Sequence, residues 1–422
     1  MQTQSDHAAT GPGEPATGQT SARSYLWITT LVLGYVGVYL CRKNLAVAIP
    51  MLESDFKVSR EQIGIVASAS TIAYAAGKFL FGPVIDRLGG RLCFFVSLVL
   101  VALFGAVGGL ASSVPVLVGW YSANRLAGSA AWGSMMKLVP DWFSARDLAF
   151  ASALLSLGFV FGGVCATLLA GQIAEWSSNN WRVVMSAPSA VLLAIVGLSW
   201  VVLPRGSGTT RTRREARKGG FSWRQFLDLL RIRQFWIVCG LSFALTLMRE
   251  TFNTWTVDFF RTEGGPQISN RMAAFMSTPF DAFGALGIIS LGWAFGRISR
   301  GARNRLLCGI LLGLTVLLYY LPALSRQGPW LPTMAVAMIG FLAYGPYSLL
   351  AGVLSVEIRG KEYVGTVAGM VDGVGYVAGI LAGQQFGRIV DAGGYTLGFQ
   401  RLAILTLISA VLCLFLYPKE KS

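Results

Sequence analysis

The chain is poor in charge and nearly free of histidine. Charged residues make up 13% of its 422 residues, about half of their share in an average soluble domain. The only histidine, His7, lies before the first apolar segment. The apolar segments therefore lack an imidazole for general-base catalysis, proton relay or metal binding. This absence excludes many classes of membrane enzyme.

Cysteine patterns typical of a metal site or a disulfide framework are also missing. The six cysteines lie singly within apolar segments, without the paired spacing of a zinc site. Isolated cysteines in such surroundings behave as small apolar residues. We predict that the protein holds no metal and no cofactor, and that it is not an enzyme.

Long apolar runs dominate the sequence, which is 54% hydrophobic with a mean hydropathy of +0.58. About 20 apolar residues in a helix cross the roughly 30 Å of a bilayer's hydrocarbon core. We count twelve such runs, and the predicted fold class is an all-α membrane protein with twelve transmembrane helices in two six-helix bundles. The predicted helices start near residues 25, 62, 92, 115, 148, 184, 234, 271, 304, 331, 363 and 396.

Polar segments predict the domain organisation. Residues 1–24 are rich in Gly, Pro, Thr, Ser and Ala, which predicts a disordered cytoplasmic tail and not a cleaved signal peptide. Residues 25–204 are predicted to form the N-terminal six-helix bundle, and residues 234–418 the C-terminal one. Residues 205–233 are predicted to form a basic cytoplasmic linker between them.

The net charge of +15 resembles that of a nucleic-acid-binding protein. However, its largest basic block, residues 211–218, lies in the predicted linker, and the other loops that would share one side of a membrane also carry Lys and Arg residues. The positive-inside rule explains this distribution and predicts that both termini are cytoplasmic. We expect a monomeric, multi-pass protein of a bacterial inner membrane that binds no nucleic acid.

The two halves of the chain repeat each other. The Leu-Cys-Arg run that ends at Arg42 corresponds to the Leu-Met-Arg run that ends at Arg249. A GxxxG run at residues 158–162 corresponds to another at 375–379, and such glycines favour close helix packing in lipid. These pairs indicate parallel repeats related by an axis along the membrane normal.

Arg42 and Arg249 lie deep within apolar segments at matching places of the two halves. A cation near the bilayer centre costs about 2.5–3.5 kcal/mol on insertion scales, so the pair indicates a site compensated by a bound anion. The planar guanidinium matches two oxygens of a phosphate or carboxylate, and Lys78 adds a further positive charge. The alternative is a set of internal ion pairs, such as Arg249 or Lys43 with Asp281.

The loop after the second predicted helix carries Asp86, Arg87 and Arg91. It resembles the signature loop of the major facilitator superfamily. An aspartate at a helix end beside arginines can hold and then release one conformational state, so we assign these three residues to gating. The alternative is a solvated turn that obeys the positive-inside rule.

The chain is similar, over nearly its whole length, to the organophosphate:phosphate antiporters of that superfamily, which include glycerol-3-phosphate, hexose-phosphate and glucose-6-phosphate transporters. The resemblance is carried by residues 39–44 (Tyr-Leu-Cys-Arg-Lys-Asn), 73–87, 340–346 (Gly-Phe-Leu-Ala-Tyr-Gly-Pro) and 365–376. It implies that Arg42 and Arg249 bind phosphate, and that Lys78 and Asp281 match a lysine and an acid of the substrate site. Lys43, beside Arg42, is assigned to the same site.

The resemblance further implies that aromatic residues line the pore, where tyrosine hydroxyls can bind a polar substrate. These aromatic residues are Tyr35, Tyr39, Tyr74, Trp132, Tyr344 and Tyr376. The alternative for each of them alone is a place in the helix core or in the interfacial belt.

The sequence departs from the family where substrate contacts are expected. The family's helix 5 histidine falls on Gly158, its helix 7 acid falls on Thr254, and its helix 4 arginine falls on Lys137. Loss of the histidine puts glycerol-3-phosphate in doubt as the substrate. Arg125 resembles a helix 4 arginine of proton-coupled superfamily members, and Asp372 is a titratable acid in an apolar helix, so both are candidates for proton coupling.

We therefore predict a secondary active transporter that exchanges a small organic anion, a phosphate ester, for inorganic phosphate by alternating access. One alternative is a proton-coupled organic-anion symporter or exporter that uses Asp372. Another is a membrane sensor of phosphosugars that does not transport them.

Overall fold

The fold is entirely helical in the part of the chain that the structure describes. The computed structural model describes residues 22–139, 142–143, 148–204, 229–265, 267–350, 354–359 and 364–416. These residues form α-helices and no β-strand, which confirms the predicted all-α class. The predicted tail lies outside the described residues up to residue 21, and the linker lies outside them from 205 to 228.

Sixteen helices follow one another along the described residues. They are α1 (Ala22–Leu40), α2 (Asn44–Phe56), α3 (Arg60–Leu88), α4 (Gly90–Gly108), α5 (Val114–Leu138), α6 (Leu148–Trp176), α7 (Trp181–Ser186), α8 (Pro188–Val202), α9 (Arg233–Glu263), α10 (Asn270–Ser277), α11 (Pro279–Arg297), α12 (Arg300–Ser325), α13 (Trp330–Leu349), α14 (Ser355–Arg359), α15 (Val364–Leu381) and α16 (Gln384–Cys413).

Nine segments among the described residues are long and apolar enough to cross a membrane. Together with α5, α13 and the shorter α15, they are consistent with the predicted twelve. Eleven of the predicted starts fall within four residues of a helix start. The twelfth, predicted near 396, falls inside α16, directly after a break at Gly393 and Gly394. Gly394 has a φ of +69°, a left-handed conformation that favours glycine.

The helix contacts repeat between the two halves, which we define as α1–α8 and α9–α16. In the first half α3 packs against α5, α1 against α6, and α4 against α8. In the second half the corresponding pairs are α11 with α13, α9 with α15, and α12 with α16. This correspondence supports the internal repeat predicted from the two arginine runs.

Both GxxxG runs lie at helix contacts. A Cβ added at Gly162 would lie 2.9 Å from Cβ of Tyr39 on α1, and one added at Gly375 would lie 2.8 Å from the Thr246 hydroxyl on α9. Real Cβ atoms rarely come so close, so these glycines allow the helices to approach. The packing interpretation of the two runs is confirmed.

The two halves meet closely at one end of the molecule, which we call the closed end. There α3 packs against α15 and α16, and α6 packs against α10 and α11. The Arg60 Nε donates to Asp258 Oδ2 over 2.7 Å, and Asp391 accepts hydrogen bonds from the backbone amides of Arg60 and Glu61 at 3.2 and 2.8 Å. A carboxylate of the second half therefore caps the first turn of α3.

Backbones also touch at the closed end. A Cβ added at Gly64 of α3 would lie 2.6 Å from the carbonyl oxygen of Gly383, and one added at Gly383 would lie 2.4 Å from the carbonyl oxygen of Gly64. Only residues without a side chain fit this contact. It seals the closed end above the cavities described next.

Candidate functional site

Two adjoining cavities lie between the halves, midway along the helices. The larger has a volume of about 350 Å³, which is within the usual range for small-molecule sites. Residues that line both cavities come from the two halves: Tyr39, Arg42, Thr71, Arg125, Phe159, Arg249 and Glu250. The two cavities therefore share one set of charged and aromatic side chains.

Arg42 lies at a break in the first apolar segment. Residues 41–43 form a turn between α1 and α2, and the amides of Arg42 and Lys43 both donate to the carbonyl oxygen of Tyr39. The Tyr121 hydroxyl donates to the carbonyl oxygen of Arg42, so this carbonyl of the turn has a hydrogen-bond partner. The Arg42 guanidinium points into both cavities and donates to the Tyr39 hydroxyl over 3.3 Å.

Arg249 lies within the continuous helix α9 and faces Arg42 across the cavity. Its Nη2 donates to Oε1 of the adjacent Glu250 over 2.7 Å, and the same oxygen lies 3.7 Å from Nη2 of Arg42. The Arg249 guanidinium also lies 4.6 Å above the ring of Tyr347. One carboxylate therefore compensates two arginines from opposite halves.

Lys43 and Asp281 form a second ion pair between the halves. The Lys43 ammonium donates to Asp281 Oδ2, and the Tyr344 hydroxyl donates to Oδ1 over 2.7 Å. Asp281 is 5% exposed, so the two hydrogen bonds satisfy a buried carboxylate. The internal ion pair considered in the sequence thus exists between Lys43 and Asp281, whereas Arg249 pairs with Glu250.

The ring of Tyr74 lies among three cations. The Arg42 guanidinium lies 5.4 Å from its centroid, the Arg125 guanidinium 4.7 Å, and the Lys78 ammonium 5.3 Å. Lys78 also lies 5.0 Å from the ring of Tyr376. These cation–π contacts compensate part of the positive charge without a carboxylate.

Two further predicted aromatic residues form one wall of the larger cavity. The ring of Tyr35 lies 5.5 Å from that of Trp132 and 5.3 Å from that of Tyr39. All eleven residues predicted to bind substrate line at least one of the two cavities: Tyr35, Tyr39, Arg42, Lys43, Tyr74, Lys78, Trp132, Arg249, Asp281, Tyr344 and Tyr376.

The two candidates for proton coupling lie beside this set. Asp372 lines the larger cavity with Lys78 and Tyr376. Arg125 lines both cavities and is 6% exposed, and its Nη1 has no hydrogen-bond partner among the described residues. Arg125 is therefore a buried cation whose Nη1 can still donate a hydrogen bond.

The predicted gating residues lie away from the cavities, at the end opposite to the closed end. Asp86 pairs over 3.2 Å with Lys137, which also donates to the carbonyl oxygens of Ile85 and Asp86. The Arg91 guanidinium lies 5.0 Å from the ring of Phe95. Arg87 lies in the last turn of α3, and its side chain is exposed.

Sequence reasoning missed several residues of the site. Glu250 was not assigned to the site, although it joins the two arginines. Tyr347 follows Tyr344 by three residues on α13, and this helical spacing could have identified it. Tyr121 gave no local signal, because its contact to Arg42 depends on how α5 packs. Thr254 lines the smaller cavity, whereas Gly158 contacts α1 at Val32 and Tyr35.

The cavity lining carries more positive than negative charge. Among the described residues it has five cations, namely Arg42, Lys43, Lys78, Arg125 and Arg249, and three carboxylates, namely Glu250, Asp281 and Asp372. The excess corresponds to two positive charges. Within the same described ranges, no group of three or more His, Cys, Asp and Glu residues could hold a metal ion.

Comparisons with known proteins agree with this architecture. The family model of the Major Facilitator Superfamily matches residues 31–383. The "Probable hexose phosphate transport protein" of Chlamydia pneumoniae is 24% identical, and the match covers 92% of this chain and 89% of that protein. The glycerol-3-phosphate transporter of Bacillus subtilis is 26% identical, with coverage of 90% and 89%.

Solved structures show the same fold. The crystal structure of a bacterial homologue of the human lysosomal transporter Spinster, in an inward-facing and unoccupied conformation, matches with a TM-score of 0.76. Sequence identity is 17%, and the match covers 94% of this chain and 97% of that one.

Proposed function

This chain belongs to the Major Facilitator Superfamily, and from this premise we propose that it exchanges a small phosphate ester for inorganic phosphate. It is a multi-pass membrane transporter and not an enzyme. The proposed substrate is an organic anion such as a sugar phosphate, bound in the two cavities between the halves. Transport by alternating access, a monomeric state and a bacterial inner membrane are parts of the same proposal.

The observation that carries the proposal is the arginine pair. Arg42 and Arg249 come from corresponding places in the two halves and reach one shared carboxylate between them. Two planar guanidinium groups that already bind a carboxylate can bind a phosphate with the same donors. The pair therefore supports an anion site that involves both halves.

The net charge of the cavity lining supports a substrate that carries two negative charges. The excess of two positive charges in the cavity lining matches the charge of a phosphate monoester near neutral pH. Two relatives are named for hexose phosphate and glycerol-3-phosphate, which are both phosphate monoesters. Glycerol-3-phosphate itself is the weaker candidate, since Gly158 replaces the family's histidine and contacts α1.

In the proposed cycle, the closed end faces outward and the opposite end faces the cytoplasm. Contacts such as Arg60 with Asp258 hold this inward-facing state. An anion bound to both Arg42 and Arg249 lowers the barrier to rocking of the halves, because it is attracted to one guanidinium group of each half. The ion pair of Asp86 with Lys137 at the cytoplasmic end is proposed to break and re-form during this cycle. Arg87 and Arg91 are proposed to take part in the same step.

The test is exchange in liposomes. We would reconstitute the purified protein in liposomes loaded with unlabelled phosphate, and measure entry of labelled phosphate with sugar phosphates and carboxylates as competitors. We expect rapid exchange without a proton gradient, blocked by at least one phosphate ester. Liposomes loaded with sulfate-free and phosphate-free buffer are the matched control and should show little entry.

Two other outcomes would overturn the proposal. Accumulation of an organic anion only when the outside is acidified would establish a proton-coupled symporter, for which Asp372 and Arg125 in the cavity lining are the candidates. Binding of phosphosugars without any transport would establish a sensor.

A further inference from the structure

Glu250 occupies the place where the proposed anion should bind. Its carboxylate lies 2.7 Å from the Arg249 guanidinium and 3.7 Å from that of Arg42, and its side chain is 14% exposed. A phosphate that uses the same guanidinium donors must take them from Glu250. Binding is therefore a competition between the substrate and a carboxylate of the protein.

The displaced carboxylate needs another cation, because an unpaired buried carboxylate is strongly unfavourable. Arg125 meets this need. It lines both cavities beside Glu250, close enough for the two charges to interact, and its Nη1 lacks a hydrogen-bond partner among the described residues. No ion pair holds Arg125 elsewhere in the described part of the chain.

We propose that Glu250 is a switching counterion, which binds Arg42 and Arg249 in the empty carrier and transfers to Arg125 when the substrate anion binds. This inference rests on the proposed function and adds a positioning role for Glu250 and Arg125. In the empty carrier Glu250 prevents repulsion between the two arginines. In the loaded carrier Arg125 pairs with the released carboxylate of Glu250, so substrate binding does not leave a buried carboxylate without a cation.

The test is a double-mutant cycle with inorganic phosphate as the probe. Binding of labelled phosphate to the purified protein is measured for the wild type, Glu250→Gln, Arg125→Met and the double variant. Glu250→Gln should bind phosphate about tenfold more tightly, because the internal competitor is gone. Arg125→Met should weaken phosphate binding by a similar factor, yet have little effect when Glu250→Gln is also present.

Two further variants serve as controls. Asp281→Asn also removes a carboxylate from the cavity lining, but this carboxylate pairs with Lys43 and not with the two arginines. It should therefore tighten phosphate binding much less than Glu250→Gln. Glu250→Asp keeps the charge but shortens the reach to Arg42, so it should give an intermediate affinity. It also remains informative if Glu250→Gln does not fold, which thermal unfolding of each variant would reveal.

Several results would overturn the inference. Equal weakening by Arg125→Met with and without Glu250→Gln would mean that Arg125 contacts the anion itself. Weaker or unchanged phosphate binding in Glu250→Gln or Glu250→Asp would mean that Glu250 does not compete. If the wild type binds neither phosphate nor phosphate esters, the proposed function fails as well, whereas the earlier outcomes leave it intact.

Discussion

The guanidinium of Arg42 and the carboxylate of Glu250 form an ion pair across the two halves of the protein, with 3.7 Å between Nη2 and Oε1. The same carboxylate binds Arg249, which is its neighbour in the chain. The halves are therefore joined at mid-height by charge as well as by packing at the closed end. Any anion that enters between them acts on this junction.

Replacing either arginine by lysine should abolish most anion binding. In Arg42→Lys or Arg249→Lys, an ammonium remains, but it lacks the planar fork that binds two oxygens. Loss of one charge-assisted hydrogen bond corresponds to a weakening of about tenfold or more. Phosphate binding to the purified variants measures this effect. Wild-type affinity in both lysine variants, with normal thermal unfolding, would contradict the proposed role of the pair.

Removing one partner of the Lys43–Asp281 pair should destabilise the protein more than replacing both partners. Lys43→Met leaves a buried carboxylate with only the Tyr344 hydroxyl, at a cost on the order of 3 kcal/mol. The double variant Lys43→Met with Asp281→Leu removes both charges and should recover most of that loss. Thermal unfolding in detergent compares the three proteins. A double variant less stable than Lys43→Met would argue against this explanation.

Asp391→Asn should weaken the closed end. The carboxylate caps the first turn of α3 from the other half, and asparagine offers one oxygen and no charge to the two amides. We expect a larger distance between spin labels at residues 57 and 267, on opposite halves of that end. Glu61→Gln is the matched control, because its pair with Arg388 is exposed and should matter less. Equal distances in Asp391→Asn and the wild type would refute the capping role.

Asp372→Asn should leave phosphate exchange in place. Asp372 lines the larger cavity, and among the described residues the ion pairs of Arg42 and Arg249 are with Glu250 and not with Asp372, so the arginine pair remains able to bind phosphate. Exchange of labelled phosphate in liposomes, with and without a proton gradient, makes the comparison. Loss of all uptake in this variant, together with uptake in the wild type that requires an acidic exterior, would favour proton coupling through Asp372.

Local patterns in the sequence predicted the helices, and these patterns together with the family resemblance pointed to residues that line the cavities. Apolar runs mark the helices, and charged or aromatic residues within those runs mark the cavity, as for Arg42, Tyr74 and Arg249. The pairing of charges was harder to predict. Glu250 binds Arg42 from a distant helix, and Asp86 binds Lys137 instead of the nearby arginines, because these contacts depend on helix packing.

The break at residues 41–43 was not predicted either. No glycine or proline marks it, and the turn is held by the hydroxyl of Tyr121 from α5. A tertiary hydrogen bond of this kind leaves no trace in the periodicity of the first apolar run. Arg42 lines both cavities, but the turn in its backbone was not foreseen.

The backbone contact between Gly64 and Gly383 has a mechanical consequence. Because each residue touches the other's carbonyl oxygen, the smallest possible side chain at either position would act as a wedge. Alanine at residue 64 would hold α3 away from the turn between α15 and α16 by the thickness of a methyl group. The tightness of the closed end thus depends on two hydrogen atoms, the side chains of these glycines.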